Sequence, residues 1–165
     1  MALQSVSPIS FESVSAVTAS PSVELGTERK EGFISYIYSY NGGNSQISKG
    51  QYARLDAAAL SSGVTVTVSN AVSQAGGEFI VGVAHNATFA TGTYGWLATK
   101  GPVLVALDSG EVSMNSGDIL VPGLNGGFVV APATLSTSIH LAVALNSLVT
   151  TVGTGKALFK SPLFG

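Results

Sequence analysis

No part of this chain holds a strand or helix pattern for long before a turn residue interrupts it. Short runs rich in β-branched and aromatic side chains recur, and each stops at Gly, Asn or Ser. Phe33-Ile34-Ser35-Tyr36-Ile37-Tyr38-Ser39-Tyr40 is the most pronounced, and Val64-Thr65-Val66-Thr67-Val68 alternates cleanly. Further runs cover residues 78–84, 94–99, 103–107, 119–121, 128–131, 139–145 and 156–160. Runs of this kind fit pleated, half-buried strands, and turn signals at this spacing specify an all-β sandwich or barrel. The 20 Gly and 6 Pro oppose long helices, whose interiors they destabilise. Only residues 51–60 hold helix-friendly content, in Ala57-Ala58-Ala59-Leu60. The expected fold class is all-β: a small antiparallel β-barrel or sandwich with an internal quasi-repeat and an extended N-terminal arm.

Period two places Ile34, Tyr36, Tyr38 and Tyr40 on one strand face and Phe33, Ser35, Ile37 and Ser39 on the other. Asn41-Gly42-Gly43-Asn44 then supplies residues that tolerate positive φ in a turn. Just upstream, Glu28-Arg29-Lys30-Glu31 is the one dense charge cluster. Residues 1–20 differ from the rest. They are rich in Ser, Val and Ala, are broken by Pro8, end before Pro21, and carry Glu12 as their only charge. No period persists there, so residues 1–24 read as an extended arm that orders on a partner, with Phe11, Val14 and Val17 among its anchors. The barrel or sandwich domain then spans residues 25–165.

An internal repeat is visible at a constant offset. Val81-Gly82-Val83-Ala84-His85-Asn86-Ala87 aligns with Leu141-Ala142-Val143-Ala144-Leu145-Asn146-Ser147. Without a gap, Thr91 then meets Thr151, Gly95 meets Gly155, Lys100 meets Lys160 and Pro102 meets Pro162. Upstream, Ser48-Lys49-Gly50-Gln51-Tyr52 loosely matches Asn115-Ser116-Gly117-Asp118-Ile119. The quasi-repeats therefore cover about residues 47–102 and 114–162.

Charged residues make up 10% of the chain, well below the usual ~25%. Seven Lys and Arg against nine Asp and Glu leave a net charge of -2. Without a basic patch to release counterions, no nucleic-acid partner is expected. The mean hydropathy of +0.42 would suit a membrane protein. Yet apolar stretches such as residues 102–107 and 128–131 fall far short of the ~20 residues a helical span needs, so no membrane partner is expected either. The N-terminus has neither the basic nor the apolar region of a secretory leader. Cys is absent, which removes disulfides, thiol nucleophiles and zinc–thiolate sites. Such a sparsely charged surface of small apolar residues suits being covered by partners.

Nucleophilic catalysis needs Ser, Cys or Thr held beside a base, usually His. Ser is plentiful, but His85 and His140 are the only histidines and no Gly-x-Ser-x-Gly elbow is present. His85 occupies the repeat position of Leu145, which marks it as structural, and His140 opens the second such strand. Asp108, Glu111 and Asp118 flank Ser109-Gly110 and Ser116-Gly117, a pattern of capped turns more than of a metal site. Tyr36, Tyr38, Tyr40 and Trp96 offer an aromatic platform for a sugar, although packing in a core or interface is the weightier reading. Asn125-Gly126-Gly127 and Gly92-Thr93-Tyr94-Gly95 lack the Gly-Lys-Ser/Thr of a phosphate loop. The expectation is a non-enzymatic protein with no catalytic residues, no metal ligands and no cofactor. Its candidate partner-binding residues are Phe11, Val14, Val17, Tyr36, Tyr38 and Tyr40.

Several Gly-centred signatures carry a family resemblance. Leu25-Gly26-Thr27, Glu31-Gly32-Phe33 leading into Tyr36-Ile37-Tyr38, and Ile47-Ser48-Lys49-Gly50-Gln51 resemble the opening of capsid decoration (cement) proteins of tailed bacteriophages. Val81-Gly82-Val83-Ala84, Tyr94-Gly95-Trp96-Leu97-Ala98-Thr99-Lys100-Gly101-Pro102-Val103, Ser116-Gly117-Asp118-Ile119-Leu120-Val121 and Leu141-Ala142-Val143-Ala144-Leu145 are similar to the same family's core. The resemblance covers roughly residues 25–162. It implies a small β-barrel or sandwich that forms homo-oligomers, often trimers, on the outer face of an icosahedral head. The implied partners are the major capsid protein and further copies of the chain, the implied location is the virion, and no catalytic residue is implied. Two other classes fit the same composition: a carbohydrate-binding or host-attachment module using the Tyr strand and Trp96, and another virion β-protein of tail or baseplate. A small hydrolase would need His85 or His140 paired with a carboxylate and Ser.

Overall fold

The computed structural model describes residues 13–56, 63–67, 79–111, 113–131, 141–148 and 154–164. Among these residues the regular elements are strands: β1 (Val17–Thr18), β2 (Glu28–Glu31), β3 (Ile34–Asn41), β4 (Tyr52–Leu55), β5 (Thr65–Thr67), β6 (Ile80–Val83), β7 (Tyr94–Ala106), β8 (Ile119–Pro122), β9 (Phe128–Val130), β10 (Ala142–Ala144) and β11 (Thr154–Lys160). The all-β class expected from the turn punctuation is the fold observed. Residues 57–60, the helix-friendly run, lie outside the described residues.

Five strands close a barrel in the order β3-β5-β4-β6-β7, with β7 returning to β3. Its β3–β5 contact is parallel, a departure from the purely antiparallel barrel expected, and the other pairings are antiparallel. Four further strands, with the C-terminal half of β7, run the same circuit a second time. β11 pairs the C-terminal half of β7, then β10, β8 and β9 follow, and a parallel bridge between Leu107 and Phe128 brings β9 back to the end of β7. The registers correspond residue by residue. Tyr40↔Tyr94 and Tyr36↔Ala98 in the first circuit match Ala106↔Thr154 and Pro102↔Leu158 in the second. Tyr52↔Val83↔Ala98 likewise matches Ile119↔Val143↔Leu158. So β3 is the counterpart of the second half of β7, and each circuit begins earlier than residues 47 and 114. That equivalence left no mark in the side chains, because Tyr36-Ile37-Tyr38 and Pro102-Val103-Leu104 share no pattern beyond being apolar.

The turn that enters β4 recurs before β8. The Gly50 N–H donates to the Ala84 carbonyl (2.8 Å) and the Gly117 N–H to the Ala144 carbonyl (2.8 Å). The amide of Ser48 bonds the Gln51 side chain (2.7 Å), as that of Asn115 bonds the Asp118 carboxylate (2.6 Å). Both glycines sit at positive φ, 87° and 94°, where a Cβ costs strain. The turn after β3 is built differently from expectation. None of Asn41, Gly42, Gly43 and Asn44 takes a positive φ. Instead the Asn41 carboxamide accepts from the Gly43 amide (3.1 Å) and donates to the Ser45 and Phe89 carbonyls (3.0 and 3.2 Å).

Residues 94–99 and 103–107 read as two strands, because Gly101-Pro102 looks like a break; β7 runs through it. Gly101 takes φ +112°, and a Cβ there would overlap the Phe33 carbonyl oxygen. Pro102 is tolerated because its nitrogen faces away from β11. The N–H groups of Leu104 and Ala106, on the same edge by alternation, bond outside β11, to His85 Nδ1 (2.8 Å) and the Gly50 carbonyl (2.9 Å).

Two clusters fill the molecule. Ile37, Ile47, Ala53, Val66, Val81, Ala84, Phe89 and Leu97 form the interior of the first barrel. The positions corresponding to them in the second circuit, among them Val103, Met114, Leu120, Phe128, Leu141 and Ala157, belong to a larger cluster. That cluster also contains Tyr36, Tyr38, Tyr52, Val83, Trp96 and Ala98 of the first barrel's outer face. The second barrel's interior and the first barrel's exterior are thus one continuous core. β2 ends the sheet, and its charges (Glu28, Arg29, Lys30, Glu31) blunt an edge that would otherwise invite another strand.

Candidate functional site

The chain offers two kinds of candidate site: polar clusters able to do chemistry, and surfaces able to hold a partner. The polar clusters hold the fold together. Asp108, at the end of β7 and buried, accepts from the Ser109 amide (2.7 Å), the Asn125 amide (3.0 Å) and the Asn125 side chain (2.8 Å). Burial pushes its carboxyl up, but the bonds from Asn125, Ser109 and the Leu124 amide outweigh this and hold it below the usual carboxylate range. The loop so fixed reaches the first barrel: the Tyr52 hydroxyl donates to the Gly123 carbonyl (2.5 Å) and the Tyr52 amide to the Gly126 carbonyl (2.8 Å). Burial pushes the Tyr52 hydroxyl up to about 12. Asp118 caps its own turn, and Glu111 accepts from the Val130 amide at 3.3 Å.

His85 accepts the Leu104 amide on Nδ1, and burial, with Lys49 nearby, lowers its pKa, so the ring is a neutral link between β7 and the loop after β6. His140 lies outside the described residues. Among the described residues no three His, Asp or Glu side chains gather as a metal site would require. A groove of about 380 Å³ is lined by Pro21, Val23, Glu24, Leu25, Gly63 and Tyr94.

The candidate partner-binding residues fall into separate places. Phe11 lies outside the described residues. Val14 is buried in the large core cluster, and Val17, in β1, pairs with Gly95 of β7. Tyr38 accepts from the Ser22 amide (3.1 Å) and is fully buried. Of the segment read as an extended arm that orders on a partner, residues 13–24 lie on the first barrel, over the outer face around Tyr38 and Trp96. Tyr36 is buried as well, with its hydroxyl held by the Asn86 side chain (3.2 Å). Tyr40 is half-buried against Tyr94, ring centroids 4.7 Å apart. Trp96 lies inside, 5.1 Å from the Tyr38 ring and under the Arg29 guanidinium (5.9 Å). Tyr36, Tyr38 and Trp96 are core side chains here, and the exposed aromatic platform considered for a sugar does not form from them.

A surface absent from that candidate set is the exposed apolar row of the second barrel. Ile119, Val143, Leu158 and Pro102 are lateral neighbours on β8, β10, β11 and β7. Val143 is 41% exposed and Leu158 53%. Their first-barrel counterparts, Val83 and Ala98, are at 0%. Leu145 (47%), two residues beyond Val143 in the chain, adjoins the row. One signal could have revealed it: in Thr154–Lys160 the small or buried Gly155, Ala157 and Phe159 alternate with Lys156, Leu158 and Lys160, which puts a leucine among lysines on the outward face.

No protein-family model matches the chain, and no curated protein matches it. Solved structures do. A chain of the capsid of Myoviridae phage XM1 aligns with 84% of this chain and 90% of its own length, at 8% identity and a TM-score of 0.50. The head fiber gp8.5 N base of bacteriophage phi29 aligns over 78% of this chain and 95% of its own, at 11% identity and a TM-score of 0.49. The likeness to the XM1 capsid chain is one of fold.

Proposed function

We propose that this chain is a structural protein of a bacteriophage particle, a decoration (cement) protein that binds the outside of the head and stabilises contacts between major capsid protein subunits. The observation that carries this is the likeness of fold to a chain of the XM1 capsid over 84% of the protein, beside the decoration-protein signatures in the sequence. The physics is compatible. A cement protein works through many copies, so a modest apolar contact per copy is multiplied by avidity. A row of outward Val, Leu and Pro on a rigid barrel provides such a contact. The protein acts by binding, without transforming a substrate, and Phe11 serves as an anchor of the segment ahead of residue 13.

The test uses heads prepared without the chain and purified chain added back. Saturable binding at a fixed ratio to capsid subunits, with a higher temperature of head disruption, is the expected result. Recovery of the chain only with tails or baseplates, or no binding to heads, would overturn it.

A further inference from the structure

We propose that the outward face of the second barrel is the docking surface, and that its occupant is an apolar protein surface edged by carboxylates. This inference rests on the decoration reading, with the shell as the bearer of that surface. Neighbouring strands lie about 4.8 Å apart, so the row Ile119–Val143–Leu158–Pro102 spans about 15 Å of continuous apolar surface. Lysines flank it. Lys160 and Lys156 stand two residues either side of Leu158, about 7 Å along the strand, and Lys100 pairs laterally with Lys160. No carboxylate occupies an outward position of β10, β11 or the Lys100–Ala106 stretch of β7. In a chain with seven Lys and Arg overall, this is a concentrated positive rim around a greasy strip.

The fold itself shows what such a face does. The corresponding row of the first barrel, Tyr52–Val83–Ala98–Tyr36, belongs to the large core cluster and is covered by the chain's own later residues. The second barrel, built on the same circuit, presents the same row with nothing from the described residues over it. A second copy presenting this same face is a poor cover, because three lysines would then oppose three lysines. An apolar partner with acids at its rim satisfies both parts of the face. Hot-spot contacts at the centre and charge pairs at the edge are the usual division of labour in interfaces.

Particles carrying the chain, treated with a carbodiimide that joins ammonium to carboxylate without a spacer, test this directly. Lys156, Lys160 or Lys100 should be joined to carboxylates of a shell protein. Leu158→Asp should weaken binding to heads at least about tenfold with the chain still folded, and Lys156→Glu with Lys160→Glu should weaken it and reduce its salt dependence. Links from these lysines to Glu12 or to any other carboxylate of this chain or of a second copy would overturn the inference. So would bound copies whose three lysines stay fully open to acetylation, or unchanged binding by Leu158→Asp. Particles that contain none of the chain would overturn the decoration reading itself, a result separable from the others.

Discussion

The two barrels share a circuit, a register and an entry turn, yet their outer faces meet opposite fates. On the first, Tyr52, Val83, Ala98 and Tyr36 lie in a core. On the second, Ile119, Val143, Leu158 and Pro102 face outward. The strand pattern is the same in both, since each row occupies the outward positions of its strands. What differs is the neighbour. Asp108 ties the 123–127 loop into a shape that reaches Tyr52, and residues 13–25 fold over Tyr38 and Trp96. A duplicated unit thus supplies one covered copy of the face and one that the described residues leave open.

The largest expected asymmetry is in the rows themselves. Tyr52→Ala removes a buried ring, packed edge-on against Phe128 at 5.7 Å, and a hydrogen bond, and should cost about 3–5 kcal/mol. Its counterpart Ile119→Ala should cost about 1 kcal/mol. Urea midpoints of the two variants measure this, and equal losses would break the distinction between covered and open faces.

The entry turns sharpen it. Gly50→Ala and Gly117→Ala both place a Cβ at positive φ, at about 1–2 kcal/mol each. At Gly50 the new atom would lie 2.6 Å from the Ala106 nitrogen and 2.9 Å from Thr154 Cγ2, whereas nothing lies within 4 Å at Gly117. Thermal unfolding should show Gly50→Ala worse by about a further 1–3 kcal/mol.

The smallest effect is in pH. Asp108 is held below its usual pKa, so the unfolded chain takes up the proton first as pH falls. Its contribution is present above the unfolded value of about 3.9 and is lost as pH drops through the lower folded value. Asp108→Asn should flatten that acid limb. Tyr52 runs the other way: its contribution is complete below about 10 and is lost as pH rises towards about 12, a limb that Tyr52→Phe should remove. Acid and alkaline unfolding curves unchanged by these two variants would detach the 123–127 loop from the contact between barrels.

Much of this was legible in the residues. The alternation in 33–40 and 64–67 marked strands, and the Gly-rich turns opposed long helices, because those are local preferences acting within a few residues. The match of residues 81–87 to 141–147 was visible because the two segments occupy equivalent positions of equivalent strands, with like small apolar side chains on both faces. Other features were hidden. Gly101-Pro102 looked like a break, and only the partner strand shows that the proline nitrogen points to an edge where β11 needs no donor. Val14, Tyr36 and Tyr38 looked like binding residues because apolar side chains are equally suited to a core or a partner.

The sequence alone determined that the chain is all-β and internally repeated, since strand alternation and turn chemistry are properties of short segments. The tertiary structure decided which of two equivalent faces is covered. That outcome depends on contacts between residues far apart in the chain, such as Tyr52 with Gly123 and Tyr38 with Ser22, which no local pattern encodes.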